Sequence, residues 1–261
     1  MSEQTQEYDD ALVAVLEAVW GEGYMSPGGP DEIRLIVEGV DLAGRAMLDL
    51  GCGTGGITRF LAETYRPACI VGIDVDAGLI ARATERTSMA GPGNSVTFRT
   101  VTPGPLPFTD GSFDVVFSKD AMVHIAGKEA LFAEIFRVLR PGGIVAAGDW
   151  MSSTDGPFSD AMTDYLDAEG LGFGIASPAR YRSAMVQAGF RDIRMIDRNE
   201  WYRPVAHREY DAVTGPLHDQ LVARVGKAFL DHEIEVWRTL TVVVDSGELR
   251  PGHLRAHKPG G

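Results

Sequence analysis

Basic residues are scarce in this chain: 24 Lys and Arg stand against 37 Asp and Glu, a formal net charge of −13 over 261 residues. Nucleic acids and anionic membranes reward a basic patch, so neither is an expected partner. Cysteine is nearly absent. Cys52 and Cys69 supply no disulfide framework and no zinc spacing, and both read as small buried residues in a reducing compartment. Apolar runs are short, and none approaches the roughly 18 residues of a membrane span. The acidic opening MSEQTQEYDD lacks the apolar centre of a signal peptide, so the expected location is cytoplasmic. No cluster of Asp, Glu and His carries metal-ligand spacing, so no metal is expected.

What is present is an ordinary globular composition and a clear alternation. DDALVAVLEAVW spaces Leu12, Val15, Leu16 and Val19 at helical intervals behind an Asp cap, GEGYMSPGGP is a loop, and DEIRLIVEGV is a short helix. Short apolar strands then alternate with amphipathic helices. The strands are AMLDL, ACIVGID, SVTFRT, FDVVFS and GIVAAGDW, and helices are expected over 54–64, 76–87 and 128–139. That order predicts a doubly wound, Rossmann-like α/β sheet. Residues 1–44 read as an N-terminal helical lid and 45–150 as the ligand-binding core. Residues 151–261 read as helical cap insertions plus the last strands of the sheet, RDIRMIDRN and GELRPGHLRAHKP. A long helical region is expected from about Val205 to Val244, broken at TGPL.

The turn after the first strand is D-x-G-x-G-x-G: Asp49, Gly51, Gly53 and Gly55. Ligands of such sheets sit outside the carboxyl ends of the strands, and glycines let backbone come close to them. An acid ahead of the glycines would repel a pyrophosphate and attract an ammonium. Asp74, at the end of the second strand, can accept both hydroxyls of a ribose. A cationic nucleoside without phosphate, S-adenosyl-L-methionine, satisfies these features. The alternative is a glycine turn that only packs helix on sheet.

The blocks LDLGCGTGG, GIDVD, LPFTDGSFDVVFS and VLRPGG resemble the class I S-adenosylmethionine-dependent methyltransferases over roughly residues 45–150. The resemblance implies a seven-stranded sheet. It also implies that Asp49, Gly51, Gly53 and Gly55 hold the methionine end, Asp74 the ribose, and Val75 the adenine. Many members carry an Asp after the third strand; here Thr102 and Pro103 stand in its place.

The stretch FSKDAMVHIAGKEALF leaves the fourth strand with Ser118, Lys119, Asp120 and His124. Asp120 and His124 are four apart, and one helical turn would put them on one face. A histidine there serves either as a base or as a packed, capping side chain. The remaining histidines lie outside these motifs and read as solvated.

Beyond the class, VWGEGYMSPGG, FSKDAMVH, GGIVAAGDWM, YRSAMVQAGF and LRPGHLRAHKP are similar to blocks of the phosphoethanolamine N-methyltransferases, over nearly the whole chain. This similarity implies His124 as base, Tyr8 as the latch that pairs with it, and Asp120 against the substrate amine. Met25 and Ser26 would close over the cofactor, with Ser118 and Lys119 beside it. Tyr24 would lie at the substrate. The positions where that family clamps phosphate hold Trp150, Leu171, Phe173 and Leu240, and none of these neutralises a dianion. Tyr165, a further lid position, is kept.

The expected substrate is therefore a small phosphate-free amine, such as an amino acid, an amino alcohol or an aralkylamine. Trp150, Tyr165 and Phe173 would form an aromatic wall suited to methylation as far as the tertiary or quaternary amine. Alternatives are phosphoethanolamine with a clamp relocated to Arg180, Arg182 or Arg238, an O- or S-methyl acceptor, and a non-catalytic cofactor-binding module. The expected assembly is a monomer or a weak homodimer.

Overall fold

The computed structural model describes residues 8–88 and 96–261. Seven strands form one sheet: β1 (Ala46–Leu50), β2 (Cys69–Asp74), β3 (Val96–Thr100), β4 (Phe113–Lys119), β5 (Leu139–Ser152), β6 (Arg191–Asp197) and β7 (Leu249–His257). Their order is β3-β2-β1-β4-β5-β7-β6. The pairs from β3 through β5 are parallel, and β7 runs antiparallel to both β5 and β6. Strand order reverses between β1 and β4, so the crevice for a ligand opens where these two strands end.

Alternation along the strands makes the sheet two-faced. Met47, Ile70, Val115, Phe117 and Ala146 pack under α2 (Gly29–Ile36) and α3 (Gly56–Tyr65). Leu48, Leu50, Ile73, Val116, Val145 and Ala147 face α5 (Lys128–Val138) and α7 (Pro178–Ala188) through Phe132, Ile135, Tyr181 and Met185. The helix α4 (Ala77–Ser88) joins β2 to the β3 side.

A third apolar cluster lies off the sheet. It gathers α1 (Asp10–Trp20), α6 (Asp160–Glu169), α8 (Asn199–Thr214), α9 (His218–Val225) and α10 (Lys227–Ser246) around Leu16, Tyr165, Tyr202, Leu221 and Trp237. Among the described residues, no helix is long and apolar enough to cross a membrane.

Several elements depart from the expected boundaries. The α8 helix begins before Val205 and contains Pro204. Proline in the second turn forfeits a single bond to the carbonyl four residues back, and packing of Tyr202 and Ala206 into the cap outweighs it. The region breaks twice, at 215–217 and again at Gly226, whose φ of +85° ends α9. The β5 strand is longer than expected at both ends and includes the RPGG segment.

The lid segment between α1 and α2 is clasped onto the glycine turn. The Gly56 amide donates to the Gly23 carbonyl (3.2 Å), and Thr54 Oγ1 donates to the same oxygen (3.1 Å). A Cβ at Gly56 would lie 2.2 Å from that oxygen. Gly56→Ala is therefore expected to lower unfolding stability by about 1–3 kcal/mol through overpacking, measured as a fall in the denaturant midpoint at unchanged slope.

Candidate active site

The glycine turn sits at the ends of β1 and β2. Backbone amides of Gly51 and Cys52 donate to the Ile73 carbonyl at 2.9 and 3.0 Å, and Gly53 N donates to Asp74 Oδ2 at 2.9 Å. Asp74 Oδ1 takes the amide of Asp76 (3.0 Å). Each Asp74 oxygen keeps a further lone pair, as a vicinal diol requires. Burial raises the Asp74 pKa against its backbone donors. Val75, the next residue, is 56% exposed, an open apolar platform beside that carboxylate.

Asp49 lies beneath the turn, 2% exposed, and accepts from Thr58 Oγ1 (2.6 Å). Burial pushes its pKa up to about 7, and the Asp74 charge adds to the shift. Met25 reaches over the turn, its Sδ 3.0 Å from where a Gly53 Cβ would stand, and Ser26 is buried behind it. Gly55 is tucked against Ala83 and Phe98. Thr102 and Pro103 are exposed in the loop after β3, which Val101 N ties to the Asp74 carbonyl (2.9 Å). Ser118 is buried and donates to the Leu50 carbonyl (2.8 Å), locking β4 to β1. This set of two carboxylates, bare backbone and an apolar shelf fits a cationic nucleoside cofactor.

A cleft opens beside Met25 and the segment that follows β4. Its wall includes Tyr8, Met25, Asp120, His124, Trp150, Tyr165, Phe173, Tyr202, Trp237 and Leu240. Seven of the predicted site residues, Tyr8, Met25, Asp120, His124, Trp150, Tyr165 and Phe173, thus meet at one cavity. The structure does not bring Tyr24 there. Its ring packs on the α2–α3 face, among Arg34, Arg59 and Glu63, where burial raises its pKa.

His124 is reached differently from the expected helical turn. Asp120 has φ +52°, a left-handed conformation held by its amide bond to the Gly148 carbonyl (2.9 Å). A short 3-10 turn, Met122–His124, follows. Both side chains enter the cavity because the backbone bends at Asp120 and then coils. Lys119 pairs with Asp120, and both side chains are nearly buried.

The Tyr8 hydroxyl meets His124 Nε2 at 3.2 Å, while Nδ1 is buried with no hydrogen-bond partner. Phe173 packs on the imidazole with ring centroids 5.1 Å apart. Burial pushes the His124 pKa down to about 4, and Lys128 adds to the drop against the pull of Asp120. The ring is thus neutral at pH 7 and presents an acceptor nitrogen.

Several lining or supporting residues escape sequence reading. Glu209, buried, accepts from Trp20 Nε1 (2.7 Å), Tyr202 OH (2.8 Å) and Trp237 Nε1 (3.4 Å), which orients the aromatic roof. Glu169 and Glu233 line the cavity as well; burial raises them to about 8 and about 7. No signal marks these acids, since each sits among other charged residues in an ordinary helix. Glu17 had one: no other charge falls between Ala11 and Trp20 in α1.

Among the described residues, no Lys or Arg is part of the cavity wall, and Lys119 reaches it only through its pair with Asp120. Arg180 pairs with Glu129 (3.1 Å), Arg182 donates to the Ile193 carbonyl (3.2 Å), and Arg238 pairs with Glu235 (2.6 Å). Among the described residues, no group of His, Cys, Asp and Glu could hold a metal ion.

Comparison with known proteins agrees with this arrangement. Residues 47–143 match a family described as a methyltransferase domain. Over these residues the chain resembles the class I S-adenosylmethionine-dependent methyltransferases. It is 30% identical to phosphoethanolamine N-methyltransferase 1 of Arabidopsis thaliana, over 97% of this chain and 50% of that protein. The chain spans about half the length of the curated relatives it matches.

In fold it resembles phosphoethanolamine N-methyltransferase 2 of Haemonchus contortus, solved with phosphomonomethylethanolamine and S-adenosylhomocysteine. The TM-score is 0.87 at 24% identity, over 98% of this chain and 59% of that one. It also resembles a Galdieria sulphuraria protein named as a proposed sarcosine dimethylglycine methyltransferase. There the TM-score is 0.84 at 22% identity, over 97% of this chain and 98% of the other.

The lid is fastened to the domain by Glu17, whose carboxylate takes Arg86 Nη2 (3.0 Å) and Gly23 N (3.1 Å) and closes an ion pair with Arg86 Nη1 (2.5 Å). Arg86→Met leaves Glu17 without its counter-charge and is expected to cost on the order of 2 kcal/mol. A lower thermal midpoint, with faster proteolysis confined to the lid, would register it.

Proposed function

We propose that the protein transfers a methyl group from S-adenosyl-L-methionine to the nitrogen of a small, phosphate-free amine. The observation that carries the reading is the cavity wall: aromatic rings and the acids Asp120, Glu169 and Glu233, with Lys119 paired to Asp120 and, among the described residues, no lysine or arginine in the wall itself. A cation is attracted into such a space, whereas burying a dianion there without a partner costs several kcal/mol. The phosphate-clamp positions read from the sequence, Trp150, Leu171, Phe173 and Leu240, all line it as apolar side chains. The three arginines weighed as a relocated clamp are engaged elsewhere.

The domain match supports the cofactor, which would supply an electrophilic methyl on a sulfonium. Asp74 would hold the ribose hydroxyls and Val75 the adenine. Gly51 and Gly53 would give backbone access to the methionine end, and Met25 would cover it. Methyl transfer is an in-line displacement: the amine lone pair forms the new C–N bond as the S–CH3 bond breaks, and the product nitrogen is left cationic. The nitrogen must therefore arrive neutral, although an alkylammonium has a pKa near 10.4.

His124 would accept a hydrogen bond from the amine N–H through a ring held neutral by burial, and relay the proton released. Tyr8, 3.2 Å from Nε2, would fix the ring and latch the N-terminal segment over the cavity. Asp120 would face the ammonium of the product. Aromatic faces of Trp150, Tyr165 and Phe173 would favour each successive methylated cation by about 0.5–2 kcal/mol, so transfer would continue to the tertiary or quaternary amine.

The reading is tested with purified protein, calorimetry for S-adenosylmethionine, and a methylation assay over an amine panel. Free amino alcohols, amino acids and aralkylamines are expected to be methylated, and phosphoethanolamine is not. Preferred turnover of phosphoethanolamine would overturn the substrate class, and absence of cofactor binding would overturn the activity.

His124→Ala is expected to lower kcat by about 10²-fold or more at unchanged cofactor Kd, with Tyr8→Phe in the same direction. Because burial pushes His124 down to about 4, kcat/KM should climb from pH 6 to 9 with the free-amine fraction and the ionisation of Glu233 and Glu169, with no step near 6.5 that His124→Ala removes. An inflection there, lost in His124→Ala, would contradict a neutral buried ring.

A further inference from the structure

The segment that carries His124 spans residues 120–127, between β4 and α5, and groups outside the cavity grip it. Lys128, fully buried at the start of α5, donates from Nζ to the carbonyl oxygens of Met122 and Ile125, each at 2.6 Å. Its ammonium lies 5.0 Å from the centroid of the Tyr181 ring, a cation–π contact. Asp149 of β5, also buried, accepts the Val123 amide through Oδ1 (3.1 Å) and the Tyr181 hydroxyl through Oδ2. None of the three side chains is part of the cavity wall.

These bonds fall on the residues immediately around the base. Lys128 ties down one carbonyl two residues before His124 and one directly after it, while Asp149 holds the amide of the preceding residue. The Met122 carbonyl also accepts the Ile125 amide (2.9 Å), so the buried ammonium adds a second donor there and bridges to the Ile125 carbonyl, tying the end of the 3-10 turn together. Burying a lysine is costly, and a purely packing role would be met by an apolar side chain of the same length. The wall of Gly174 completes the grip: its amide donates to the Val123 carbonyl (2.7 Å), and a Cβ there would meet Ala126 at 2.4 Å.

We propose that Lys128, held by Tyr181 and Asp149, is a positioning residue that sets the turn so that His124 Nε2 faces Tyr8 and the acceptor. The proposal rests on the reading of His124 as the group that takes the amine proton. Lys128 acts through backbone carbonyls and touches neither substrate nor cofactor. Its charge also opposes protonation of the imidazole. The other groups that bear on the ring are Asp120 from the end of β4 and Tyr8, with Tyr165 and Glu169 of α6 and Glu233 of α10 across the same cavity.

The test compares wild type, Lys128→Met, Lys128→Arg and Tyr181→Phe in the full chain. In Lys128→Met, kcat is expected to fall by about ten- to a hundredfold at unchanged acceptor KM and cofactor Kd. The His124 imidazole titration, followed by NMR in the absence of substrate, should move to higher pH, because a positive charge has been removed. Lys128→Arg should restore much of both. Tyr181→Phe, which spares the ammonium, should lower kcat without moving the titration. It serves alone where Lys128→Met does not fold.

Wild-type kcat in folded Lys128→Met, or in Tyr181→Phe where only that variant folds, would overturn the proposal. So would a titration unmoved in Lys128→Met. The two readings fail separately: a fully active His124→Ala would sink His124 as base, while the NMR shift in Lys128→Met reports on Lys128 regardless.

Discussion

A side chain at position 51 would collide with Ala121: the Cβ of one would stand 2.1 Å from the Cβ of the other. The rest of the site depends on that absence of space. Gly51 belongs to the turn after β1, and Ala121 belongs to the segment after β4 that carries Asp120 and His124. The two loops interlock at the place where strand order reverses. Backbone φ at Gly51 is +74° and at Asp120 +52°, so each loop bends in a left-handed conformation to reach the other. The glycine turn and the His124 segment are thereby held in one fixed relation, as the proposed displacement between donor and acceptor would demand.

Around this junction the charges are arranged in shells of opposite purpose. Beneath the turn, Asp49 and Asp74 are buried and raised toward the neutral form, so an entering cation relieves a cost already present in the fold. In the cavity, Glu169 and Glu233 are in the same condition. Behind the wall, Glu209 gathers Trp20, Tyr202 and Trp237, and Lys128 gathers two carbonyls, so the inner faces stay rigid. Of the acids that face the cavity, Asp120 is paired with Lys119 while burial raises Glu169 and Glu233, whereas an acid that holds elements together, Glu32 with Arg198 and His253, is depressed to about 2.

Much of the site was legible because its motifs are local. Asp49, Gly51, Gly53 and Gly55 lie within seven residues, and Asp74 ends the next strand. Parallel pairing of β1 with β2 brings them together whatever the details of the cap. His124 and Asp120 were legible for the same reason, though the turn that presents them was not. Four residues of helical spacing and a left-handed bend followed by a 3-10 turn give the same list of side chains in a different geometry. Tyr24, next to Met25 in the chain, packs on the α2–α3 face instead of lining the cavity, a choice made by tertiary contacts.

By itself the sequence determined what depends on neighbours along the chain: the strand–helix alternation, the bare turn behind an acid, and the apolar side chains at 150, 171, 173 and 240, which line the cavity. Tertiary structure alone decided which distant groups became neighbours. Glu209 beneath Trp20 and Trp237, Asp149 and Tyr181 behind the turn of His124, and Glu169 opposite Glu233 are separated by tens of residues. Their roles arise from desolvation, and burial is a property of the packed molecule that no local spacing records.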